Sequence, residues 1–143
     1  MKKLTTQATI TAFIKQENHN YALIHSVITF IRHANTENIN CEKIQNIRNA
    51  LTEAINNAIT FAYPNKNGKV SVSISIYDNK VLKLKVRDYG CGIEDITKAK
   101  ENLFTTEKGR CGLGFSVMKS SSDNLTVNST VGKGTIVTME FNL

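Results

Sequence analysis

From Val70 to Ile76 the chain alternates without a break, with valine and isoleucine at even positions and serine at odd ones (V-S-V-S-I-S-I). Leu82, Leu84 and Val86 take up the same two-residue period a few positions later. Successive side chains of a strand point to opposite faces, so both segments read as strands of a sheet with one dry and one wet face. Both apolar sets are even-numbered, and paired residues share a face; Ile76 should therefore oppose Leu82. That register sets Tyr77 against Val81 and leaves Asp78, Asn79 and Lys80 as a three-residue loop. A two-residue turn at Asp78 and Asn79 would set Lys83 against Ile74 and mix the faces.

Ahead of this hairpin the period changes. Leu23, Ile24, Val27, Ile28, Ile31 and Ala34 recur at helical spacing and predict a helix over 20–34. A second helix, capped by Asn38 or Asn40, should run to about Tyr63, where Pro64 and Gly68 stop it. Its apolar stripe is Ile44, Ile47, Leu51, Ala54, Ala58 and Ala62, widened by Ile55 and Ile59. Residues 7–14 alternate weakly, as an edge strand does. Further on, 94–102 read as a short helix, 103–111 as a loop, and 112–121 as a helix ending in Ser120, Ser121 and Ser122. Two strands, about 123–130 and 135–142, close the chain around V-G-K-G-T. The order β-α-α-β-β-(α)-α-β-β predicts an α+β fold, a two-layer sandwich with helices on one face of the sheet and water on the other.

Composition narrows this picture only a little. A chain of 143 residues, 41% hydrophobic and 21% charged, suits a globular domain with a sizeable core, and we read 1–143 as a single domain. No apolar run approaches the roughly 20 residues that a membrane-spanning helix needs. The N-terminus is basic but lacks the apolar core and cleavage site of a signal peptide. The three cysteines Cys41, Cys91 and Cys111 have no C-x-x-C spacing, which argues against zinc and disulfides and for reduced thiols in the cytoplasm. The net charge of +6 is spread along the chain, with no basic block interleaved with aromatics and no Trp. A solvated basic surface explains it better than a nucleic-acid face, although it would also favour a polyanion.

Candidate chemistry lies in three places. The polar face of the second helix, Asn49, Glu53, Asn56, Asn57 and Thr60, is rich in asparagine, a mediocre helix former, where Lys and Glu would be usual. Glu53 and Asn57 are four apart and so adjacent on the surface; a carboxylate and an amide oxygen suit a magnesium–phosphate site, with a plain solvated face the equal alternative. After the second sheet strand comes Asp88-x-Gly90-x-Gly92. A polar loop with Thr105, Thr106 and Lys108 then leads to Arg110-x-Gly112-x-Gly114 at a helix start. An acid can accept hydrogen bonds from an amino-bearing base, and glycines let backbone N–H groups approach phosphates. Alone, each glycine pair reads as an ordinary turn.

In this order and spacing the three boxes, with Thr135 on a late strand, resemble the GHKL (Bergerat) ATP-binding superfamily. The resemblance covers about residues 5–142. Within it, A-L-T-E-A-I-N-N-A-I-T-F-A-Y, D-Y-G-C-G-I-E-D-I, L-F-T-T-E-K-G-R-C-G-L-G-F-S-V-M and V-G-K-G-T-I-V are most similar to anti-sigma-factor serine/threonine kinases of the sporulation and stress type. It implies a mixed sheet with helices on one face, ATP and Mg²⁺ as cofactors, and a sigma factor and an anti-sigma-factor antagonist as partners, with neither nucleic acid nor membrane. A homodimer also belongs to that family pattern. Glu53 would be the general base, and Asn57 the protein ligand to Mg²⁺. Asp88 would accept the adenine amino group with support from Thr135, and Gly90 and Gly92 would shape that turn. Arg110, Gly112 and Gly114 would hold the polyphosphate beneath a lid carrying Thr105, Thr106 and Lys108. The lid is a little shorter than the family pattern, Phe61 and Ala62 stand where a histidine and a glycine are found, and no arginine matches near Ile24. The alternatives are an ATP-binding switch without phosphotransfer and an orphan histidine-kinase-like catalytic domain. Against the latter, none of His19, His25 and His33 lies in a phosphoacceptor segment.

Overall fold

The computed structural model of the chain describes residues 3–14, 21–34, 39–63, 68–92 and 113–143. The alternating segments are strands. β1 is Leu4–Ile14, β2 Gly68–Tyr77, β3 Val81–Asp88, β4 Asn124–Thr130 and β5 Gly134–Asn142. They form a sheet in the order β1-β2-β3-β5-β4, with β1 at one edge as its weak alternation suggests. Ile76 pairs with Leu82, the register required by the shared parity of the apolar sets. The turn is the three-residue loop: Lys80 N donates to the Tyr77 carbonyl at 3.0 Å, and Lys80 itself is left-handed, at φ 63°.

Every pairing among these strands is antiparallel, which corrects the mixed sheet implied by the resemblance. The reason lies in where the last strand goes. β3 and β4 run in the same direction, but β5 turns back from β4 and inserts between them, so no two parallel strands are neighbours.

Helix α1 (Tyr21–Ala34) and helix α2 (Cys41–Asn57) cover the apolar face. Their stripes, Val27, Ile28 and Ile31 on one and Ile47, Leu51 and Ile55 on the other, share a core with Val72, Ile74, Leu82, Leu84, Met139 and Phe141. Asn40 rather than Asn38 caps α2, its Oδ1 accepting from Lys43 N at 2.7 Å. The helix continues towards Tyr63, but residues Ala58–Ala62 form a π turn. Such a turn inserts an extra residue into the helical repeat and so re-aims whatever follows. Helix α3 (Leu113–Ser121) packs along α2, and Ser122 ends it by donating from both N and Oγ to the Met118 carbonyl. The expected short helix at 94–102 and loop at 103–111 lie outside the described residues. None of the described helices is long and apolar enough to cross a membrane.

The opposite face carries Ser71, Ser73 and Ser75 beside Thr9 and Thr11 of β1, and the pair Lys83 and Glu140 at 3.6 Å. His25 and His33 are exposed, as are Cys41 and Cys91. The sandwich therefore depends on one apolar layer. Leu84 is fully buried at its centre, and Leu84→Ala should cost about 2–5 kcal/mol, read as a lowered midpoint in urea unfolding with an unchanged slope.

Candidate functional site

The inner row of β3 reads Leu82, Leu84, Val86 and then Asp88; that of β5, read backwards, is Phe141, Met139, Val137 and then Thr135. On two neighbouring strands the alternation thus delivers a polar residue to the helix-facing side where the apolar layer ends. Asp88 is 8% exposed and Thr135 7%. One carboxylate oxygen, Asp88 Oδ1, accepts from Gly90 N at 3.1 Å and from Thr135 N at 3.2 Å. Burial pushes the carboxyl above its ordinary range, and the two N–H donors offset this in part. The Thr135 hydroxyl is engaged by Ser129 Oγ at 2.8 Å, so its contact with Asp88 is made through the backbone.

The turn after Asp88 is held by close approach. Gly90 lies against Ala62 so tightly that an added methyl would overlap the Ala62 carbonyl and Cβ. The Ala62 methyl is therefore accommodated by the absence of a side chain on Gly90. Gly92, at φ 80°, faces the Thr130 carbonyl, where again no methyl fits.

Glu53 and Asn57 lie on the half-buried polar side of α2, one turn apart. The start of α3 rests on them. A Cβ placed on Gly114 would lie 3.0 Å from Asn57 Oδ1 and 3.2 Å from Glu53 Oε2. The structure thus brings a carboxylate, an amide and a helix N-terminus together, and the unpaired N–H groups of such a terminus favour anions. Among the described residues no cluster of three or more His, Cys, Asp or Glu could hold a metal. Thr105, Thr106, Lys108, Arg110 and Gly112 lie outside the described residues.

One residue of this region carried no signal beyond its place before a helix-stopping proline. The Tyr63 hydroxyl donates to the Lys69 carbonyl at 2.6 Å and accepts from Tyr89 N at 2.7 Å. It joins the end of the π turn to β2 and to the residue directly after Asp88.

The raised pKa of Asp88 has a consequence for stability. The folded state holds the proton more tightly than the unfolded chain, so stability falls as pH rises from the unfolded carboxylate range through the folded pKa. Asp88→Asn keeps an oxygen for both N–H donors and removes the charge. Without nucleotide it should melt a few degrees above the wild type at pH 7, and the gap should close as pH falls towards about 4, measured by calorimetry.

The model of the histidine kinase-like ATPase domain matches residues 17–141. The anti-sigma F factor of Caldanaerobacter subterraneus is 48% identical over 100 residues, 68% of this chain and 69% of that one. That of Clostridium acetobutylicum is 40% identical over 128 residues, 88% of this chain and 86% of its own length. Among solved structures, the histidine kinase domain of the Erythrobacter litoralis blue-light activated kinase superposes with TM-score 0.59 at 22% identity, over 85% of this chain and 60% of that one. A mycobacterial sensor histidine kinase, MprB, gives TM-score 0.58 at 16% identity over 92% and 97%. These structures share the fold; the sequence relatives go further. The chain belongs to the anti-sigma F factor family of histidine kinase-like ATPase domains.

Proposed function

We propose that the protein is an ATP-dependent anti-sigma factor that sequesters a sigma factor and phosphorylates a serine or threonine of an anti-sigma-factor antagonist, in the cytoplasm. The observation that carries this reading is the pairing of two sites on one helix–sheet seam. Asp88 is anchored through Oδ1 by two backbone donors, and Glu53 and Asn57 lie under the first turn of α3.

At the first site Asp88 accepts the adenine amino group, supported by Thr135, with Gly90 and Gly92 shaping the turn beside it. At the second, the N-terminal turn of α3 and Gly114 receive the polyphosphate, and we assign Thr105, Thr106, Lys108, Arg110 and Gly112 to the same ligand from their place in the family pattern. Asn57 would hold Mg²⁺ through its amide oxygen, and the ion would offset phosphate charge. Glu53 takes the proton of the antagonist's hydroxyl as its oxygen bonds to the γ-phosphorus and the bond to ADP breaks. Phosphoryl transfer asks mainly for positioning and charge neutralisation, so a short list of side chains suffices. A switch that only binds ATP has no use for a base, and Glu53 supports transfer over that alternative.

Two variants test the halves separately. Asp88→Asn turns a donor towards the adenine amino group, and a mismatched polar contact of this kind costs about 1–3 kcal/mol; ATP affinity by calorimetric titration should fall roughly 10- to 100-fold. Unchanged affinity would sink the nucleotide reading. Glu53→Ala should retain ATP and sigma-factor binding while transfer to the antagonist drops about 10²- to 10⁴-fold in a radiolabelled phosphate assay. Full transfer by that variant would remove the base and leave the switch.

A further inference from the structure

We infer that Tyr63 is a positioning residue for base recognition: its hydroxyl, bonded at once to the Lys69 carbonyl and the Tyr89 amide, fixes the turn that presents Asp88 to the nucleotide. The inference rests on the ATP reading above and adds to it a side chain that touches neither base nor phosphate.

Three features of the surroundings support it. First, the Asp88 turn is gripped at consecutive residues by consecutive residues. Tyr63 holds Tyr89 N, and Ala62 abuts Gly90, while Gly90 N closes on Asp88 Oδ1. Second, the ring of Tyr63 has little freedom. It is 6% exposed, and Gly68 presses on its face so closely that a Cβ there would overlap it. Third, Lys69 and Tyr89 are also joined on the outer face of the sheet. Lys69 Nζ lies 4.5 Å from the Tyr89 ring centroid, and Arg87 Cζ lies 4.7 Å from it. Tyr63, Lys69 and Tyr89 thus form a closed circuit through the sheet. Burial, with the Asp88 charge nearby, holds the phenol above its ordinary pKa, so it stays a donor at neutral pH.

Glu53 and Asn57 are held by α2 and α3, upstream of the π turn. Loosening Tyr63 should therefore harm base recognition and spare the phosphoryl step. The experiment compares Tyr63→Phe with wild type for ATP and GTP affinity and for kcat at saturating ATP. The expected result is about a tenfold weaker affinity for ATP, a reduced preference for ATP over GTP, and kcat within twofold. Unchanged affinity and preference overturn the inference, even if the melting temperature falls. Equal losses for both nucleotides with a parallel fall in kcat show a merely structural role and overturn it too. Should Tyr63→Phe fail to fold, the Tyr89 amide of the wild-type protein is read instead by hydrogen exchange. Saturation with a non-hydrolysable ATP analogue should slow it at least about tenfold, and unaltered exchange overturns the inference. Asp88→Asn in the same titrations separates the two failures: retained ATP affinity there defeats the nucleotide reading, whereas loss there with retention in Tyr63→Phe defeats only the role of Tyr63.

Discussion

A carboxylate placed where a strand's period calls for an apolar side chain is the constraint around which the rest is arranged. Asp88 continues the inward row of Leu82, Leu84 and Val86 and is nearly as buried as they are. Burying a charge is costly unless polar groups meet it, and here two backbone N–H groups meet a single oxygen. Both donors come from segments that must bend to reach it: the turn at Gly90 and the start of β5 at Thr135. The turn at Gly90 and the start of β5 are thereby tied to one acid.

Helix α2 serves both layers. Its stripe of Ile44, Ile47, Leu51, Ala54 and Ile55 fills the core, and its opposite side carries Glu53 and Asn57 into contact with α3. At its end the π turn changes the helical phase, and Ala62 and Tyr63 arrive against the Asp88 turn. A single element thereby supplies Glu53 and Asn57 to the start of α3 from its regular part, and Ala62 and Tyr63 to the Asp88 turn from its irregular part. A rigid α-helical continuation would put the residues after Ala58 on a different face.

Solved kinase domains of low identity share the sandwich, whereas the identity to anti-sigma F factors reaches 48%. Fold alone does not convey activity, which has to be argued from the site.

The strands, the two long helices up to Asn57, the hairpin register and the family pattern were legible in the residues alone. Those signals are local: a two-residue period from Val70 to Val86, a helical stripe from Ile44 to Ala62, glycine pairs at fixed distances from an acid. The mixed sheet failed because pairing between distant strands is a choice of topology, and nothing in the residues of β5 states that it inserts between β3 and β4. Likewise Asn40 and Asn38 were equal as caps until the helix start was fixed. Tyr63 was invisible for a physical reason. A tyrosine near a helix end has no spacing that marks it, and its role arises only where Lys69 and Tyr89 are brought within hydrogen-bond reach by pairing of β2 with β3. Local periodicity fixed which residues are inside; only the tertiary structure decided which of those insides meet.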